Sequence, residues 1–243
     1  MGDQEALLAV SPRGHDKSQP HMRAYATWLL IALTVAVYVV QLLADETRAS
    51  ELVLRYGLTP EIFSGGERPF GGSPPLLTPL TSIFLHGSWD HLAGNMLYLW
   101  VFGDDIEDVL GPLRFALLYL VSGVCGALGY VAVDPHATVA LLGATGSVSG
   151  VIAATLVLKP CDPVTIALPR LQIRIAMHWA VGSWILLQLF QFLWHSDEET
   201  FSTLAQAGGT IAGAIAFWLL CPRGTPLFQC LQAQGDRPTE GAD

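Results

Sequence analysis

In His86-Gly87-Ser88-Trp89-Asp90-His91-Leu92-Ala93-Gly94-Asn95, polar residues interrupt an apolar stretch that runs on to Phe102. His91 and Asn95 are four apart, so a helix places both on one face. An imidazole and a carboxamide on one face can donate hydrogen bonds to a developing oxyanion, usually the largest single term in acyl-transfer catalysis. Two such residues can equally tie helices together, and taken alone they read that way.

Two later stretches change the weighting. Gly143-Ala144-Thr145-Gly146 has the frame of a Gly-x-Ser-Gly nucleophile site, with threonine where serine would stand. Ala205-Gln206-Ala207-Gly208-Gly209 has the frame of an Ala-His-x-Gly-Gly base site, with glutamine for histidine. Around them small residues recur at four-residue spacing: Gly146 and Gly150 in one stretch, and Ala205, Gly209 and Gly213 in the other. Faces of small residues let helix backbones approach closely in lipid. If these two faces meet, Thr145 and Gln206 meet with them.

The surroundings are those of a membrane protein. Of 243 residues 51% are hydrophobic and only 14% charged, against roughly 25% charged in a soluble domain. A span needs about 20 mostly apolar residues. Six stretches qualify: 24–43, 91–102 (extended backward toward 77), 113–133, 139–158, 173–194 and 204–220. The second is broken by His86, Asp90, His91 and Asn95, and polar residues inside a span usually face a bundle interior or a water-filled cavity. The expected fold is an all-α bundle of six transmembrane helices, residues 23–221. A polar cytoplasmic segment, 1–22, precedes it and a disordered cytoplasmic tail, 222–243, follows.

Lysine and arginine placement orients the bundle. With the amino terminus cytoplasmic, one side holds Arg13, Lys17, Arg23, Arg114, Lys159, Arg170, Arg174, Arg223 and Arg237, and the other only Arg48, Arg55 and Arg68. Both termini are therefore expected inside. The net charge of −9 gives no basic face for nucleic acid. It comes largely from Asp104-Asp105-Ile106-Glu107-Asp108, Asp197-Glu198-Glu199 and the tail. The first of these runs is expected to be solvated, with Asp104 and Asp105 capping a short helix start. No signal peptide is expected from the first residues. Cys125, Cys161, Cys221 and Cys230 lack metal-site spacing and are expected as free thiols.

Residues 44–80 form a long connection whose apolar residues, Leu52, Leu54, Ile62, Phe63 and Phe70, favour packing over free solvation. Residues 159–172 are expected as a short turn, stopped by Pro160, Pro163 and Pro169. In the fifth span His178 reads as a packing residue, and Trp179, Trp184, Phe190, Phe192 and Trp194 face lipid or a partner helix.

Taken together, the chain resembles the rhomboid family of intramembrane proteases over residues 24–221. The likeness rests on HGSWDHLAGNMLYLWVFG at 86–103, Glu107-Asp108-Val109-Leu110-Gly111 followed by Phe115 and Tyr119, GATGSVSG at 143–150 and AQAGGTIAG at 205–213. The resemblance implies six helices around a water-accessible cavity, a membrane-embedded first loop and a mobile fifth helix. It places the nucleophile position at Thr145 and the base position at Gln206. His91 and Asn95 match the oxyanion side, and His86 matches another histidine of that motif.

The departures bear on chemistry. A hydroxyl is a poor nucleophile until an adjacent base activates it, and a glutamine amide is not a useful base near neutral pH. Losing one member of such a unit costs on the order of 10⁴- to 10⁶-fold in rate. Thr145 and Gln206 are expected instead to hydrogen-bond as a neutral pair between helices. The resulting expectation is a rhomboid-like pseudoprotease without cofactor or metal. It would bind transmembrane segments of a client, or sit as a fixed subunit of a larger complex, among lipids of a bacterial inner membrane. The alternative is residual or atypical serine-type endopeptidase activity at Thr145, with His91 or His86 as base.

Overall fold

A computed structural model describes residues 24–67, 74–160, 163–168, 171–179, 181–182, 185–186 and 197–228. The expected segment 1–22, residues 229–243 of the tail, and Trp184, Phe190, Phe192, Trp194 and His195 lie outside these. The chain is mostly helical. Among the described residues are the helices α1 (Tyr25–Leu43), α2 (Glu46–Tyr56), α3 (Pro60–Phe63), α4 (Thr78–Thr81), α5 (Trp89–Leu110), α6 (Pro112–Val133), α7 (Thr145–Leu158) and α8 (Asp197–Leu220), besides a helical stretch that opens at Met177. Among the described residues three are long and apolar enough to cross a membrane: α1, α6 and the Thr203–Leu220 stretch of α8. The apolar α7 is shorter, at 14 residues.

The second expected span is displaced forward. It does not extend back toward 77, where short helical turns occupy Pro75–Phe84 instead. Ser88 ends that approach by capping α5, its hydroxyl accepting from His91 N at 3.3 Å. Nothing then breaks the helix until Gly111, whose φ of +78° only glycine adopts readily, and Pro112. The acidic run 104–108 therefore belongs to the last turns of α5, and Asp104 and Asp105 cap no helix start. Carboxylates are disfavoured near a helix carboxyl end. Two partners offset this. Lys159 Nζ lies 3.8 Å from Asp105 Oδ1. Glu107, 1% exposed, accepts from Ala26 N, Thr27 N and Thr27 Oγ1, each at 2.8 Å. Ala24, the residue before α1, offers no side-chain cap, so Glu107 takes over the task that a neighbouring Ser or Asp usually performs.

The expected turn at 159–172 is also corrected. Pro163–Leu168 and Leu171–Ala176 form an antiparallel hairpin, β1 and β2, with Leu168 opposite Leu171. β-Branched residues explain it: Val164, Thr165, Ile166, Ile173 and Ile175 favour a pleated backbone. The first four residues of the expected fifth span, 173–176, are thus strand, and helix begins at Met177. The sixth helix starts earlier than expected, at Asp197, so the acidic residues 197–199 open it where the helix dipole favours them.

The small-residue faces do meet. A Cβ on Gly209 would overlap the Gly146 carbonyl, and one on Gly213 would overlap the Gly150 backbone. Helix α6 is the third party. Its Gly126 runs against Ala205 and Gly209, and its Ser122 lies against Gly150. Close backbone approach of three helices at these glycines is what positions the site. The core around it includes Leu99, Ile106, Phe115, Tyr119, Val151 and Phe217.

Candidate functional site

The amino-terminal ends of α5 and α7 converge with the first half of α8. The Ser88 cap puts His91 in the first turn of α5, and the helical repeat puts Asn95 one turn on. His91 Nε2 lies 2.8 Å from Thr145 Oγ1. Asn95 Nδ2 lies 3.3 Å from His86 Nε2. The two imidazoles pack edge to face, with centroids 5.1 Å apart. Asn95 donates its amide to His86, leaving that ring nitrogen as acceptor. Burial, then the neighbouring His91, lowers the His86 pKa to about 4, so His86 is neutral near pH 7.

Three backbone ties hold Thr145 opposite His91. Leu58 and Leu141 form an antiparallel bridge, Leu58 N to Leu141 O at 3.2 Å and Leu141 N to Leu58 O at 2.8 Å. Glu61 N donates to Ala137 O at 3.1 Å. Gly143 N donates to Ser82 O at 3.0 Å. The first connection is thus tied down at Leu58 and Glu61, where it braces the approach to α7; Phe70 lies outside the described residues. Gly143 itself has φ +115°, and a Cβ there would overlap the His91 ring. Gly143→Ala is therefore expected to break the Thr145–His91 contact at two levels, backbone strain and ring displacement. Comparing the His91 imidazole NMR shift in the two proteins checks this; an unchanged shift would rule it out.

The sequence pairs Thr145 with Gln206, and the structure also sets His91 on the Thr145 hydroxyl. The Thr145 hydroxyl bonds to His91, while Gln206 is buried nearby at 6% exposure. The two helices carrying them are in contact, as Gly146 and Ala205 show: a Cβ on Gly146 would stand 3.2 Å from Ala205 O. Ser149, one turn below, bonds Thr145 O at 2.6 Å. A cavity of about 10 Å³ lies beside Thr145, lined by Ser82, Ile83, Gly123, Leu141, Gly143 and Ala205 among others. That is room for about one water molecule.

One positioning residue escapes the sequence reading. Gln41, near the end of α1, clasps the His86 backbone in both directions. Its Nε2 donates to His86 O at 3.2 Å, and its Oε1 accepts from His86 N at 3.1 Å. A glutamine in an apolar span is the one signal that could have flagged it.

The family model described as Rhomboid domain matches residues 75–223. Among relatives, the rhomboid-like protein 11, chloroplastic, of Arabidopsis thaliana is 25% identical over 147 residues, 60% of this chain and 47% of that protein. The rhomboid protease GluP of Bacillus subtilis is 38% identical over 77 residues, 32% of this chain and 15% of that protein. The inactive rhomboid protein 1 of Drosophila melanogaster is 34% identical over 79 residues, 32% of this chain and 5% of that protein. The chain spans less than half the length of these relatives.

Proposed function

The chain belongs to the rhomboid family, and from that premise we propose that it is a pseudoprotease that binds transmembrane helices of a client or partner without cutting them. It is an integral membrane protein. The proposed form has six spans with both termini in the cytoplasm, in a bacterial inner membrane. The observation that carries the reading is Gln206. It is buried in α8, the motif resemblance assigns it the base position, and an amide accepts a hydrogen bond but takes no proton near neutral pH. The family admits such members, since its relatives here include one described as inactive beside one described as a protease. Thr145, already bonded to His91, serves in this reading as a hydrogen-bonding group.

The test is restoration. Purified wild type in lipid is expected to leave a transmembrane substrate intact. Thr145→Ser with Gln206→His is expected to cleave it, by up to the ~10⁴- to 10⁶-fold that a missing unit member withholds. Cleavage by wild type that disappears in Thr145→Ala would refute the pseudoprotease.

One observation favours a second reading. The 2.8 Å contact of His91 Nε2 with Thr145 Oγ1 has the reach of a base-nucleophile pair. In that reading the protein is an atypical endopeptidase and His91 takes the hydroxyl proton. Loss of wild-type cleavage in His91→Ala, without loss in Gln206→Ala, would select it. For the binding reading, copurification in mild detergent separates two forms: a stoichiometric partner marks a fixed subunit, and many weakly held helices mark a client binder.

A further inference from the structure

We infer that the groove where the end of α1 meets α2 binds the phosphate headgroup of an anionic glycerophospholipid. The groove encloses about 430 Å³ and shares no lining residue with the cavity beside Thr145. Val40, Leu43 and Leu52 form its apolar wall, and Arg48, Glu51 and Arg55 carry its charge.

Depth is the first argument. Helix α1 has 19 residues, so it spans about 28 Å, close to the ~30 Å hydrocarbon thickness of a bilayer. Leu43 is its last residue, which sets the groove at the boundary between acyl chains and headgroups. Val40 and Leu43 are 60% and 82% exposed. In water that exposure is unfavourable; against an acyl chain it is not.

Charge is the second argument. Two guanidinium groups and one carboxylate line the groove, with the Asp45 carboxylate 3.6 Å from Arg48 beside it, so the match to a phosphodiester lies in the N–H donors left over and not in a net charge. A zwitterionic headgroup would bring its own cation beside both guanidinium groups and weaken that match. Arginine also suits phosphate geometrically, presenting paired N–H donors. Present partners leave donors available. Arg48 reaches Asp45 only at 3.6 Å, both side chains being exposed, and surface pairs of this kind contribute little. Arg55 bonds Glu51 through one terminal nitrogen. Its Nε is buried with no hydrogen-bond partner among the described residues, and a buried orphan donor is costly to leave unmade.

The experiment uses the full chain in mixed micelles with phosphatidylglycerol or phosphatidylcholine, and counts retained lipid by native mass spectrometry. Wild type is expected to retain phosphatidylglycerol about tenfold better than phosphatidylcholine, the effect of roughly one charge-assisted hydrogen bond. Arg48→Gln with Arg55→Gln is expected to abolish that preference, while Arg114→Gln, which removes an exposed charge elsewhere, preserves it. Equal retention of the two lipids by wild type overturns the proposal, whatever the variants do. So does a preference that survives the double substitution, or one lost equally in Arg114→Gln. Displacement of the lipid by inorganic phosphate alone would mark a free-anion site and overturn it too.

Discussion

Glu107→Ala is expected to destabilise the protein by about 3 kcal/mol or more, because three buried donors lose their acceptor at once and each orphan costs ~1–3 kcal/mol. Those donors are Ala26 N, Thr27 N and the Thr27 hydroxyl. Gly103, one turn before Glu107, makes the effect hard to repair. It lies so close to Thr27 that a Cβ there would stand 2.9 Å from the threonine side chain. The seam between α1 and α5 is therefore held at close approach, with little room to shift toward another acceptor. Thermal unfolding in detergent measures the loss. Glu107→Gln, which keeps one carbonyl oxygen, is expected to fall between wild type and alanine. A change below about 1 kcal/mol for alanine, the smallest cost of one orphaned donor, would show that the cap is dispensable.

The second large effect is expected at Gly213. Leucine there must force a pair of helix backbones apart, since even a Cβ would overlap the Gly150 main chain. Overpacking of a core typically costs ~1–3 kcal/mol, and here no flexible side chain is available to move aside. Gly213→Leu is expected to separate α7 from α8 and with them Thr145 from Gln206. A disulfide trap between Gly146→Cys and Ala205→Cys, formed in an otherwise wild-type background, should then fail. Gly94→Ala is the control: nothing lies within 4 Å of its Cβ position, and alanine in a helix is favoured over glycine by up to ~1 kcal/mol. If Gly213→Leu traps as efficiently as the control, the close approach of these helices does not hold the site together.

How much of this was legible in the sequence depended on where the partners lie. The seam of Gly146, Gly150, Gly209 and Gly213 was legible because helical spacing writes it on each segment separately. Its third helix, α6, was missed although Ser122 and Gly126 carry the same four-residue spacing, because small residues also stand at Gly123, Ala127 and Gly129 and the spacing alone selects no single face. His91 and Asn95 were readable as one face for the same periodic reason. The bond of His91 to Thr145 was not, since it depends on how α5 and α7 cross. Gln41 and Glu107 were missed because their partners stand 45 and 80 or more residues away. The hairpin 163–176 was missed for a local reason: three prolines drew the reading toward a turn, while the β-branched residues between them decide the backbone.

The cap on α1 has a consequence for biosynthesis. Thr27 leaves the ribosome 80 residues ahead of Glu107. At ~5–20 residues per second that is a wait of roughly 4 to 16 s. Throughout it, the amide groups of Ala26 and Thr27 wait for their Glu107 acceptor. The opening helix of this chain is thus completed by a later one, and translation speed over the intervening segment sets how long the nascent protein stays open to capture by insertion factors or proteases.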